Sequence, residues 1–282
     1  MKKILIQLDT DAQPSVFDRV VAVDSDVDEL FSYGGVIPSA VEGLVHGAMF
    51  TRGPRDLKNT AIFVGGSNVA SGEELLAAVR SVFFGPLSVS VMMDSNGSNT
   101  TAAAAVLAAL KHLEPDTTTA AILGGTGPVG QRAAQILTRL GSNVRLISRS
   151  QERAVAACER IGGGNLEPFG SDDEDSIVSA CEGADLVIAA GAAGVQFISE
   201  AARDRIGAKV LIDVNAVPPL GIEGVGVMDA AADCNGAIAY GAIGVGGMKM
   251  KIHKAAVHKL FTTNDLVLDT NAIFELGREL SL

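Results

Sequence analysis

Three glycines with the spacing Gly125-x-Gly127-x-x-Gly130 follow a short apolar run that ends at Leu123. In a strand-turn-helix setting each has a physical task. The first lets the chain turn sharply out of the strand, the second lets backbone approach a pyrophosphate, and the third lets the helix pack on the strand. Thr126, Pro128 and Val129 fill the positions between them. The first turn of the helix then offers N–H groups to an anion. Gly125 to Gly130 are therefore expected to hold a dinucleotide. At the end of the next strand, where an NAD site carries an acid for the ribose hydroxyls, stand Ser148, Arg149 and Ser150. An arginine presents a fork of donors suited to phosphate, and two hydroxyls add to it, which favours NADP over NAD. The plainer reading is a surface arginine at a strand end.

Other stretches carry polar groups suited to a ligand. Asp94-Ser95-Asn96-Gly97-Ser98-Asn99-Thr100-Thr101 lies just past an expected strand, where ligands bind in open α/β sheets. Its donors and acceptors suit a polar heterocycle. Equally, Asn96-Gly97 reads as a turn and Ser98 as a helix cap, and spacing leaves both open. Ala190 and Gly191, also past a strand, are small enough for an adenosine or nicotinamide ribose to lie against backbone; the alternative is a flexible turn. Lys249 and Lys251 follow the glycine-rich run Gly241 to Gly247. They are either helix-surface lysines or one of them is brought into a cleft by close glycine packing. His253 lies four residues beyond Lys249, on the same helical face.

These residues need a frame. The strand Thr118–Leu123, the helix Gln131–Leu140 and the strand Asn143–Ile147 make a βαβ unit. Upstream, strands are expected over 3–8, 60–64 and 87–93. Helices are expected after a Ser15 cap, over 38–50, over 73–84 behind a Ser71 or Gly72 cap, and through the alanines to Leu113. The acidic run Asp24 to Glu29 reads as a solvated face, and Tyr33-Gly34-Gly35 as a turn. That order implies a small parallel sheet flanked by helices. Downstream, helices over 151–161 and 172–181 alternate with strands over 186–189 and 209–213. A helix through 248–261 and a last one ending at Glu279, capped near Asp269 or Asn271, complete the chain. The fold class is α/β with two α/β domains. Residues 1–114 form the first, with 265–282 returning to it; residues 115–264 form the second, of Rossmann type. Pro115-Asp116 marks the hinge.

Composition narrows the function classes. The 282 residues are 48% hydrophobic and 20% charged, ample for a globular core, with a formal net charge of −11. Such a surface repels nucleic acid and acidic membranes, so neither is expected as a partner. Cys158, Cys181 and Cys234 are widely spaced and no Cys/His metal spacing occurs, so no metal is expected and a reduced, cytoplasmic protein is. The apolar run after Lys2-Lys3 meets Asp9 and Asp11 at once and reads as a strand rather than a signal segment. No stretch reaches transmembrane length.

Several stretches together resemble the bacterial NADP-dependent methylene-tetrahydromethanopterin dehydrogenases. They are Asp9-Thr10-Asp11 with Pro14 to Asp18, Thr51-Arg52-Gly53, Thr60 to Gly66, Asp94 to Ala103, Gly125 to Gly130, Asn215 with Pro218 to Ile222, and Gly244 to His253. The resemblance spans nearly the whole chain, and the runs from Asp94 and from Gly246 are its most specific parts. It implies oxidation of the one-carbon bridge of methylene-tetrahydromethanopterin to the methenyl form, with hydride passing to NADP, in one-carbon metabolism and formaldehyde oxidation. Some members also accept methylene-tetrahydrofolate. A fold like that of methylene-tetrahydrofolate dehydrogenases, an active site in the cleft between two domains, and a homotrimer are implied as well. Lys249 matches the family's active-site lysine and Arg149 its 2′-phosphate contact; Ser150 stands where relatives can carry a second basic residue. Asp18, Asp94, Asn96, Asn99, Thr100 and Thr101 are the pterin-side candidates, and Asn215 joins Ala190 and Gly191 on the cofactor side. Competing readings are a shikimate-dehydrogenase-like NADP oxidoreductase and a non-enzymatic NADP sensor. Short-chain dehydrogenases are disfavoured, because the residues four beyond Tyr33 and Tyr240 are Ile37 and Gly244 rather than lysine.

Overall fold

The computed structural model describes residues 1–281. Its strands, in chain order, are β1 (Ile4–Asp9), β2 (Glu29–Tyr33), β3 (Thr60–Gly65), β4 (Ser90–Met93), β5 (Thr119–Leu123), β6 (Asn143–Ser148), β7 (Leu166–Gly170), β8 (Leu186–Ala189), β9 (Val210–Asp213), β10 (Ala230–Cys234), β11 (Ala237–Tyr240) and β12 (Val267–Leu268). The helices are α1 (Val16–Val23), α2 (Val41–Phe50), α3 (Val69–Ser81), α4 (Ser98–Ala109), α5 (Pro128–Arg139), α6 (Gln151–Ile161), α7 (Glu174–Cys181), α8 (Glu200–Ile206), α9 (Ala242–Lys259) and α10 (Thr270–Glu279). Two compact units result, Met1–Thr100 with Met250–Leu280, and Thr101–Lys249. The divisions fall near the start of α4 and inside α9, whereas the sequence reading put them at 114/115 and 264/265.

The first unit is built on a parallel sheet in the order β12-β4-β3-β1-β2. Leu8 pairs with Val64 and Val64 with Met93, so β1, β3 and β4 end side by side. Every residue of β3 and β4 is buried, the pattern of parallel strands covered on both faces. Leu8, Val45, Ile62, Val64, Leu75 and Val91 belong to one core cluster. Several details differ from the sequence reading: the strand expected over 87–93 starts at Ser90, the alanine helix ends at Ala109 rather than Leu113, and Tyr33 closes β2 rather than opening a turn. The end of the acidic run feeds an edge strand, β2, whose Phe31 and Tyr33 stay exposed, so no buried alternation marks it. α3 starts at Val69 behind an Asn68 cap that accepts the Ser71 N–H, earlier than the expected Ser71 or Gly72 cap.

The second unit carries a seven-stranded sheet in the order β10-β11-β9-β8-β5-β6-β7. Only the β10–β11 hairpin is antiparallel. β5, β8 and β9 are central and almost wholly buried, which fits their unbroken apolar runs. α9 begins at Ala242, inside the glycine-rich run expected to precede it. A Cβ at Gly244 would collide with the Asp229 carbonyl oxygen, so close backbone packing of the helix start requires that glycine.

Candidate functional site

At the tip of β5 the chain reverses at Gly124, whose φ of +67° lies in the left-handed region that favours glycine. A Cβ there would also stand 2.5 Å from the Cα of Gly191. The sharp turn expected of Gly125 is thus made one residue earlier. Gly125 is small for a different reason: a Cβ would lie 2.6 Å from Leu146 Cγ, and its N–H donates to the Ile147 carbonyl at 2.9 Å. Pro128 opens α5, three residues before the expected start, because its fixed φ suits the first helical position and its missing N–H costs nothing there. A Cβ at Gly130 would meet Gly125 Cα at 2.8 Å, so this glycine lets α5 sit directly on the turn.

The result is a cradle cleared of side chains. A Cβ at Gly127 would lie 3.2 Å from the carbonyl oxygens of Ala190 and Gly124. The first-turn amides of α5, which have no intrahelical acceptor, open towards it. This arrangement fits a dinucleotide pyrophosphate. Gln131 Nε2 donates to the Thr126 carbonyl at 2.7 Å, and the hydroxyls of Thr126 and Ser148 are 3.3 Å apart. Ser148 is buried and Arg149 exposed. Ser150 caps α6: its Oγ accepts the Arg153 N–H at 3.2 Å and donates to Glu152 Oε2 at 2.7 Å. That hydrogen bond holds the Glu152 carboxyl below the usual carboxylate range.

Ala190 is buried and donates its N–H to Leu123 at 2.9 Å, while Gly191 makes room for the Phe197 ring. The Asn215 side chain is engaged locally: Oδ1 accepts the Val217 N–H at 3.0 Å, and Nδ2 lies 3.5 Å from the Pro219 carbonyl. Behind it stands a residue the sequence reading missed. Asp213, wholly buried at the end of β9, accepts the N–H groups of Asn215 at 2.9 Å and Ile222 at 2.8 Å, with Gly221 also donating. Burial pushes its carboxyl up, and the three backbone donors partly offset this. An acid closing an otherwise apolar strand was the available signal.

In the first unit the ends of β1, β3 and β4 carry a buried polar crest. Asp9 accepts the N–H groups of Asp11 at 2.9 Å and Ser15 at 3.1 Å, which fixes the loop into α1. Asp94 accepts the N–H groups of Asn99 at 2.8 Å and Thr100 at 3.1 Å, and the Thr100 hydroxyl at 2.6 Å. Asn99 donates from Nδ2 to the Met93 carbonyl at 2.6 Å and accepts the Thr270 hydroxyl at 2.8 Å. Asp94, Asn99 and Thr100 are at most 1% exposed, so the side chains of three pterin-side candidates are engaged with the fold itself. The first-turn N–H groups of α4 are thus accepted by Asp94 rather than by Ser98, whose hydroxyl donates to the Ser95 carbonyl at 2.8 Å. Asn96 is exposed, with φ of 56°, and its N–H donates to the Gly66 carbonyl at 2.7 Å. Asp18 and Thr101 are half-buried.

α9 carries Lys249, half-buried, and His253, wholly buried. The His253 ring stacks on Phe63 at 5.8 Å with 10° between planes, and its Nδ1 lies 3.8 Å from Asp94 Oδ2. His253 is therefore packed into the crest, whereas Lys249 lies on the less buried part of the helix. Among the described residues no group of three or more His, Cys, Asp or Glu is placed to hold a metal ion, and no helix is long and apolar enough to cross a membrane.

The parallel sheets and the glycine cradle define the class: an α/β protein with a Rossmann-type dinucleotide unit. Quinate dehydrogenase from Corynebacterium glutamicum, solved in complex with NAD, shares this fold. It aligns over 100% of this chain and 99% of its own, with a TM-score of 0.52 and 15% identity. Sequence comparison goes further. Residues 16–96 match the family described as methylene-tetrahydromethanopterin dehydrogenase, N-terminal. The bifunctional protein MdtA of Methylorubrum extorquens is 42% identical over 99% of both chains. The NAD(P)-dependent methylenetetrahydromethanopterin dehydrogenase of the same organism is 30% identical over 95% of both. The chain belongs to the NAD(P)-dependent methylene-tetrahydromethanopterin dehydrogenase family.

Proposed function

We propose that this protein oxidises methylene-tetrahydromethanopterin to the methenyl form, passing a hydride to NADP, in one-carbon metabolism and formaldehyde oxidation. The observation that carries the reading is similarity along the whole chain to an enzyme named for this reaction, 30% identical over 95% of both chains. Methylene-tetrahydrofolate is a second substrate, as the family resemblance implies. The first unit takes the pterin and the second the dinucleotide. The protein works in the cytoplasm as a homotrimer.

The chemistry asks little of acid–base groups. The hydride leaves a carbon flanked by two nitrogens, and the cation left behind is delocalised over them. No proton leaves that carbon, so binding, orientation and exclusion of water do the work. The nicotinamide, when bound, is the hydride acceptor. Gly124 to Gly130 hold its pyrophosphate on the α5 amides, Arg149 binds the 2′-phosphate, and Asp213 with Asn215 fixes the loop beyond β9. On the pterin side, Asp94, Asn99 and Thr100 act through the backbone they hold. Half-buried Asp18 and Thr101 and exposed Asn96 are assigned to the pterin as well, and Lys249 orients it.

NADP reduction followed by absorbance, with methylene-tetrahydromethanopterin and methylene-tetrahydrofolate in parallel, tests this. Turnover with the first establishes the reaction, and the rate ratio gives the carrier preference. Protein that binds NADP and turns over neither would refute it.

A further inference from the structure

At the end of β6 the groups available to an anion are already partly claimed. Arg149 is exposed, and among the described residues no carboxylate pairs with it. Ser150 is fixed as the cap of α6, with its Oγ accepting the Arg153 N–H at 3.2 Å. A serine hydroxyl has one proton to give. Here that proton goes to Glu152 Oε2, at 2.7 Å. While Glu152 holds it, Ser150 cannot donate to another anion. The carboxylate also sits in the first turn of α6, where the helix end favours negative charge. The hydrogen bond holds its carboxyl below the ordinary range, so Glu152 is ionised at neutral pH.

We infer that Glu152 is a specificity-determining residue: it competes with the 2′-phosphate of NADP for the Ser150 hydroxyl and the α6 N-terminus, and so narrows the preference for NADP over NAD that Arg149 creates. The inference rests on the reading of Ser148 to Ser150 as the ribose-phosphate end of the cofactor site. Its physical content is a displacement. For a phosphate oxygen to receive the Ser150 proton, Glu152 must give it up and its charge must move aside. Glu152 is exposed, so this costs affinity without excluding the phosphate. NAD, whose ribose hydroxyls carry no charge, meets no such penalty.

The test is Glu152→Gln, which removes the charge and leaves an oxygen to accept from Ser150, so the cap persists. Dissociation constants for NADP, NAD and 2′,5′-ADP are measured by calorimetry on wild type, E152Q and R149A, each at low and high salt. E152Q is expected to bind NADP and 2′,5′-ADP about threefold to fivefold more tightly at low salt, with the gain fading as salt screens it and NAD shifting less than about twofold. Equal shifts for NADP and NAD, a gain that ignores salt, or no shift would each overturn the inference. So would weaker NAD binding, which would make Glu152 a ribose acceptor. If R149A weakens 2′,5′-ADP while E152Q changes nothing, the cofactor reading stands and the role of Glu152 falls. If wild type binds neither dinucleotide, both fall.

Discussion

The Thr100 hydroxyl donates to Asp94 Oδ2 across 2.6 Å, with both residues wholly out of solvent. Together with the N–H groups of Asn99 and Thr100 this gives the carboxylate three donors and ties the end of β4 to the start of α4. Asp94→Ala leaves those donors buried without an acceptor. It should cost about 3–5 kcal/mol of stability, the range for breaking a buried charged network. Asp94→Asn keeps an acceptor oxygen and should cost about 1–2 kcal/mol. Urea unfolding of both variants checks the order. An Asp94→Ala protein as stable as wild type would show that the side chain serves a ligand rather than the fold.

Gly130 is set by a close approach to Gly125. The Cβ of Gly130→Ala would stand 2.8 Å from Gly125 Cα and 2.9 Å from the Gly124 carbonyl oxygen. α5 must then lift off the turn, at a cost of about 1–3 kcal/mol by analogy with overpacked cores. The same movement displaces the α5 amides that are proposed to hold the pyrophosphate. Thermal unfolding with and without NADP should show a lower melting temperature and a smaller rise on adding the cofactor. A variant with a lowered melting temperature but the full rise would separate packing from binding.

The elements that were legible in sequence are those whose local pattern and tertiary role agree. β5, α5 and β6 announce themselves through apolar runs, a glycine turn and an amphipathic helix. α6 and β8 have the bounds the pattern gave. What escaped were elements with weak local signals. β2 lies at a sheet edge with exposed aromatics, β7 carries Pro168 at an edge, and β10 is mostly alanine with a register shift between Ala230 and Ala232. α9 starts earlier than its glycine-rich approach suggests: glycines disfavour helix, yet backbone contact with Asp229 requires one of them. In the candidate site, the polar run from Asp94 just past a strand marks the crest in the sequence. Which side chains face inward is a tertiary fact, set by Thr270 and by the neighbouring strand ends.

Asp213 gives stability a pH dependence of the less common sign. Burial raises its carboxyl above the unfolded value of about 3.9, against the pull of the Asn215, Ile222 and Gly221 N–H groups. The folded chain therefore holds this proton more tightly than the unfolded chain. Its contribution is fully present below the unfolded value and is lost as pH rises through the folded one. Asp213→Asn removes the titration. The stability of Asp213→Asn minus that of wild type should rise from about pH 4 upward and level off above the folded value. Urea unfolding of both proteins across that range isolates the group, because other titrations cancel. A difference that is flat or falls with pH would refute the assignment.

Lys249 lies half-buried on α9, one turn before the His253 that packs on Phe63. Its helix is anchored on that side by a ring stack and on the other by the Asp229 backbone contact with Gly244. A lysine on a helix held on both sides of it is suited to fixing a ligand's orientation. It is poorly suited to stabilising the product, because a positive lysine beside a forming cation would be unfavourable. A role in orientation makes two demands. Lys249→Ala should lower turnover by at least about a hundredfold, the scale of losing alignment at a reacting centre. It should leave NADP affinity within about twofold, since the cradle at Gly124 to Gly130 is untouched. Steady-state rates and calorimetric NADP titration of the same preparation read both, and unchanged turnover would remove Lys249 from the site.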